Sequence, residues 1–126
     1  MKREFTALSG QIIGSAIEVH RHLGPGLLES IYRRCLAREL ELRGIPSVQE
    51  VLVPIHYKGL NMEMAYRADL FVDQTILVEL KCVDKLAGIH RAQALTYMRL
   101  LKTTNGLLVN FNVPRLAAGG IVSLIL

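Results

Sequence analysis

Nine residues constrain this chain most: Thr75-Ile-Leu-Val-Glu-Leu-Lys-Cys-Val83. The run is apolar and β-branched enough to make a strand, and only Glu79 and Lys81 interrupt it. Side chains two apart on a strand share a face. Ile76, Val78, Leu80 and Cys82 therefore make one wholly apolar face, while Glu79 and Lys81 stand side by side on the other, after Leu77. Charges inside such a run are rare unless they are paired or bind a metal, because a bare buried charge is costly. A second strand-like run, residues 64–72, carries Asp69. If Asp73-Gln74 turns a hairpin, Asp69 falls nearly opposite Glu79, and Arg67 shares the Asp69 face by alternation. Two carboxylates so placed repel each other. A divalent cation between them converts that repulsion into attraction. The sequence thus predicts a metal site with a lysine beside it.

The rest of the chain supplies a frame for that hairpin. Leu8, Ile12, Ala16 and Val19 recur at steps of three and four, which predicts a helix over residues 6–23 that Gly24-Pro-Gly26 stops. A second helix is expected over 27–43, ended by Gly44 and Pro46. Strands follow over 48–57, 61–72 and 75–83, with Lys58-Gly59 and Asp73-Gln74 as turns. Short turns between consecutive strands imply an antiparallel meander. A third helix is expected over 86–102, then a buried strand over 107–110 and a last short strand after Gly119-Gly120. The order is ααβββαβ with a possible extra strand, which is a mixed α+β (α/β) domain with a central sheet and helices packed on it.

At 126 residues, 51% hydrophobic, with 10 Gly and 4 Pro, the chain reads as one globular domain over 1–126 rather than a disordered segment. The net charge of +4 is compatible with a polyanionic partner but does not require one. Arg33-Arg34 with Arg38 is the densest basic cluster, and one solvated helix face would explain it. Cys35 and Cys82 have no zinc-type spacing and read as reduced, packing thiols. The N-terminus lacks a signal-peptide core, and the apolar stretch 121–126 is too short to span a bilayer. No membrane partner and a cytoplasmic location are the expectation.

Two further patterns accompany the hairpin. Gly26-Leu-Leu-Glu29-Ser-Ile-Tyr32 places Glu29 and Tyr32 on one helical face. Turn punctuation, an acid at a helix start and a packing tyrosine would explain it equally. His90, Gln93 and Tyr97 lie within a narrow arc of the third helix. They are either an ordinary amphipathic face or a row of donors beside a phosphate. His20 and His22 lack further zinc ligands. No P-loop, dinucleotide fingerprint or serine nucleophile elbow is present.

Taken in order, Gly26-x-x-Glu29-x-x-Tyr32, Tyr66-Arg67-Ala-Asp69, Val78-Glu79-Leu-Lys81, His90-x-x-Gln93-x-x-x-Tyr97 and Gly106-Leu-Leu-Val-Asn110-Phe111 resemble the GxxExxY proteins of the PD-(D/E)XK nuclease-like superfamily. The resemblance runs from about Ile12 to the C-terminus. Ala68, not proline, precedes the strand acid, a departure that many superfamily members tolerate. The resemblance implies a restriction-endonuclease-like αβββαβ core, with a central mixed sheet flanked by helices and one extra N-terminal helix. It implies a metal-dependent nuclease acting on nucleic acid, DNA being the expected polymer, by attack of a metal-activated water. Catalytic positions are then Glu29, Asp69, Glu79 and Lys81. Metal ligands for Mg²⁺ or Mn²⁺ are Asp69, Glu79, Glu29 and the Leu80 carbonyl. Substrate contacts are Gln93, Tyr97, Arg67, His90 and Tyr32. A homodimer or a protein partner is compatible with so small a chain. The alternative is a catalytically silent module on the same fold that binds nucleic acid or protein.

Overall fold

A computed structural model describes residues 2–126, and the side chains of residues 7–62 and 66–126. The chain runs α1 (Lys2–Leu23), α2 (Glu29–Leu42), β1 (Ser47–Tyr57), β2 (Leu60–Val72), β3 (Ile76–Lys81), α3 (Gly88–Leu100), β4 (Asn105–Asn110) and β5 (Ile121–Ile125). The expected order holds, and the possible extra strand is β5. The strands form one mixed sheet in the order β1-β2-β3-β4-β5. Neighbours are antiparallel except β3 and β4, which are parallel and joined by α3 as a crossover. No helix among the described residues is long and apolar enough to cross a membrane.

The boundaries that moved did so for local reasons. The third strand was expected to reach Val83 but stops at Lys81. There the buried Asn110 side chain takes over the Val83 peptide: Nδ2 donates to the Val83 carbonyl at 2.8 Å, and Oδ1 accepts the Val83 N–H at 3.1 Å. Helix α2 starts at Glu29 because Leu28 is still extended, at φ −70° and ψ 147°. Helix α3 stops at Leu100, two residues before Lys102 turns left-handed at φ +60°.

Helices cover both faces of the sheet. On one, Ile12, Ala16 and Val19 of α1 and Tyr32, Leu36 and Leu40 of α2 pack on Leu70, Val72, Ile76, Val78, Leu80, Leu107 and Val109. On the other, Ala94, Tyr97 and Met98 of α3 pack on Val53, Ala68, Leu77, Leu108 and Leu124. Each large apolar side chain so buried contributes about 1.5–3 kcal/mol. Glycine at 106 lets α3 come close to β4. A Cβ there would lie 2.7 Å from Met98 Sδ and 3.3 Å from the Leu77 carbonyl oxygen.

Alternation along β3 is as expected, with 76, 78 and 80 on one side and 77 on the other. Along β2 it breaks. Ala68 packs on the α3 side and Leu70 on the α1/α2 side, although they are two apart. The change falls between the pairs Val51↔Ala68 and Gln49↔Leu70, where Glu50 is left-handed at φ +53°. Such a conformation costs a non-glycine residue about 1–3 kcal/mol, so the surroundings must hold it. The inference that Arg67 shares the Asp69 face by alternation therefore fails. Arg67 is exposed.

Candidate active site

Strands β2 and β3 pair through Leu70↔Val78, Phe71↔Leu77 and Val72↔Ile76. Beyond those pairs, side chains replace the backbone ladder and the strands form a fork. The Asp69 N–H donates to Glu79 Oε1 at 2.8 Å, and the Leu80 N–H donates to Asp69 Oδ2 at 2.8 Å. Each carboxylate thus ties down the backbone of the opposite strand. The hairpin brings the two acids together as the turn spacing requires. Glu79 is buried, at 4% exposure, and Asp69 is half-buried.

Burial governs the charge state of this pair. Desolvation, then the Asp69 charge, pushes the Glu79 carboxyl up to about 8. Asp69 is also raised, by burial first. The bond from the Leu80 N–H opposes that shift, the Glu29 charge adds to it, and the Arg33 and Lys81 charges oppose it. Glu29 is half-buried at the first residue of α2, and its charge is felt by Asp69, Glu79 and Cys82. Cys82 is held up to about 11 by burial and by the Glu29 and Asp69 charges. It is a protonated, poorly nucleophilic thiol at neutral pH.

From the other side, Lys81 Nζ donates to Gln93 Oε1 at 2.8 Å, and Gln93 Nε2 donates to the Tyr97 hydroxyl at 3.1 Å. The Tyr97 phenol is raised by burial and then by the Glu79 charge, and its ring lies 5.8 Å from that of Tyr66. Two members of the expected α3 row, Gln93 and Tyr97, therefore reach the fork through Lys81. The third is turned to another task. His90 Nδ1 accepts the Ala87 N–H at 2.9 Å and closes the start of α3.

Tyr32 is corrected more sharply. It is fully buried, its ring stacked on Phe111 with centroids 4.4 Å apart. Its hydroxyl donates to the Gly24 carbonyl and accepts the Leu27 N–H at 3.1 Å. It braces the loop in which Gly26 sits at φ +99°, and so sets where α2 begins and where Glu29 stands. It is a brace behind the site, not a substrate contact. The spacing of the G-x-x-E-x-x-Y pattern follows: glycine for the turn, acid at the helix start, tyrosine one turn later to lock the turn.

Two residues beside the site escaped the sequence reading. Asn110 pins the segment after Lys81. Arg33 was counted with a solvated face, yet its side chain is 16% exposed and its charge acts on Asp69. The signal was its position one turn after Glu29 on α2.

The donor set suits a hard divalent cation. Three carboxylates act on one another there, all oxygen ligands of the kind Mg²⁺ and Mn²⁺ prefer. Glu79 and Asp69 each spend one oxygen on a backbone N–H, and among the described residues Glu79 Oε2 and Asp69 Oδ1 accept no hydrogen bond. Among the same residues no three acidic, histidine or cysteine side chains are already drawn into one coordination sphere. Two clefts among the described residues lie elsewhere, one between α2 and the start of β1 and one between α1 and α2.

In comparisons with known proteins, a model of the PD-(D/E)XK nuclease superfamily matches residues 6–121. No curated protein and no solved structure matches the chain.

Proposed function

This chain belongs to the PD-(D/E)XK nuclease superfamily, and from that premise we propose that it is a divalent-metal-dependent nuclease of the GxxExxY type, with DNA as its polymer. The observation that carries the reading is the fork itself. Two carboxylates from neighbouring strands converge beside a lysine that a neighbouring glutamine holds in place.

Asp69 and Glu79 would hold Mg²⁺ or Mn²⁺, with Glu29 and the Leu80 carbonyl as further oxygen ligands. When bound, the cation supplies Lewis-acid polarisation of the phosphate and a more acidic water. The chain's own side chains do the rest. A phosphodiester gathers negative charge as it is attacked, and the Lys81 ammonium stands where it can donate to that charge. Gln93 accepts from Lys81 and donates to Tyr97, so the tyrosine fixes which way the amide faces and the amide fixes the ammonium. Tyr97 and Gln93 are positioning residues on this account. Raised carboxyls at Asp69 and Glu79 also mean that the metal-free site holds a proton near neutral pH, which the cation must displace.

Asp69→Ala, Glu79→Ala and Lys81→Ala should each abolish EDTA-sensitive cleavage of DNA while circular dichroism stays that of the parent. Equal cutting by the parent and all three variants would end the proposal.

A further inference from the structure

Arg33 sits where α2 meets the turned ribbon of β1 and β2. Its Nε donates to Gln49 Oε1 at 3.4 Å, and its guanidinium lies 3.7 Å from Glu50 Oε1. Both contacts are long, since charge-assisted bonds settle nearer 2.7–2.9 Å. A guanidinium carries five N–H donors. Arg33 is therefore loosely engaged and has donors to spare. Its main tether, Glu50, is the residue that the fold holds left-handed. Glu50 is half in solvent, at 49% exposure, so releasing it costs little.

Beyond Arg33 the same stripe of α2 continues through Ala37 and Glu41. Ala37 and Glu41, with Arg34, Arg38, residues 44–47 and Gln49, line the cleft between α2 and the start of β1. Gln49 links the two places, since its side chain touches Arg33 and also lines the cleft. Arg34 is exposed and has no ion pair or hydrogen bond among the described residues. Arg38 is held by Glu41. The cleft itself carries two guanidinium groups, Arg34 and Arg38, and one carboxylate, Glu41, and Gln49 joins it to Arg33.

We propose that this cleft is the track for the sugar–phosphate backbone on one side of the fork. Arg33 makes the first phosphate contact, and Arg34 and Arg38 make the next. Glu50 competes with phosphate for Arg33 and so restrains binding. The identity of the polyanion rests on the nuclease reading; the geometry of the track does not.

Binding is measured by fluorescence anisotropy with labelled single-stranded DNA, double-stranded DNA and RNA oligonucleotides, on the full chain, in EDTA, across a salt series. The Arg33→Gln/Arg34→Gln/Arg38→Gln variant should bind about 10-fold or more weakly, and its log K against log salt slope should flatten by roughly 0.7–0.9 per lost contact. The Arg34→Gln/Arg38→Gln double variant, which spares the mostly buried Arg33, should show a smaller loss with the same sign. Glu50→Gln should tighten binding about two- to five-fold, because it frees Arg33. A charge-matched control, Arg21→Gln/Arg99→Gln/Arg115→Gln, should keep most of the affinity. The track is overturned if the α2 variants bind like the parent, if the control loses as much as they do, or if the parent binds none of the three polymers. Parent-like binding by the α2 variants alongside Mg²⁺-dependent cleavage by the parent defeats the track and leaves the nuclease standing. A parent that neither binds nor cuts defeats both.

Discussion

The β2–β3 hairpin behaves as two regions. Near its turn, Leu70, Phe71 and Val72 pair with Val78, Leu77 and Ile76 through the backbone, and most of these side chains are fully buried. One residue further on stand Asp69 and Glu79, with Lys81 two residues beyond Glu79, and carboxylates replace the ladder. The first region is held by apolar area and backbone bonds, which favour folding at any pH. The second crowds like charges in a partly desolvated place, which opposes folding unless protons or a cation intervene. Stability and chemistry are thus separated along one hairpin by the pitch of a single residue.

Substitutions on either side of that boundary should give opposite results. The largest effect belongs to Lys81→Met, which should lower the cleavage rate by about 10³-fold while moving stability by less than about 1 kcal/mol; initial rates and thermal melting check the two halves. Leu77→Ala, in the other region, should cost about 2–5 kcal/mol in urea denaturation. If Leu77→Ala were neutral, or Lys81→Met unfolded the protein, the division would be misplaced. Glu79→Gln comes next, and its sign is unusual. Because the folded carboxyl titrates near 8 rather than 4.5, the folded chain holds a proton that the unfolded chain has released between those values. Metal-free stability is therefore greatest below the ordinary value and is lost as pH rises through about 8. Glutamine removes that slope, so the variant should gain about 1–3 kcal/mol over the parent at alkaline pH and nothing in mild acid, measured in EDTA. Gln93→Ala should have the smallest effect, about 10-fold in kcat, or about 1.4 kcal/mol, because Lys81 keeps its charge and loses only its bearing.

Much of this was legible in the chain. The period-two pattern of residues 76–82, the turn at Asp73-Gln74 and the ten-residue separation of Asp69 from Glu79 placed the acids together before any coordinates. The helices followed from period and glycine stops. What stayed hidden depended on contacts distant in sequence. Nothing local marks Glu50 as left-handed, yet it stands where the β2 alternation breaks, so the alternation that set Arg67 beside Asp69 does not hold there. Tyr32 and His90 looked like polar tips for a ligand, and tertiary contacts used them instead, one against Phe111 and Gly24, the other to start a helix. Arg33 looked solvated because its partners, Gln49 and Glu50, come from β1.

The central claim is that the fork works as a metal-dependent hydrolytic centre. Its most direct test is one cleavage panel, of linear, nicked, flapped and junction DNA together with RNA, run side by side on the parent and Lys81→Ala with Mg²⁺, Mn²⁺ and EDTA. The account predicts that the parent cuts at least one substrate with metal and none in EDTA, and that Lys81→Ala, folded as the parent, cuts none. Cutting by Lys81→Ala at the parental rate, or by the parent in EDTA, would contradict it.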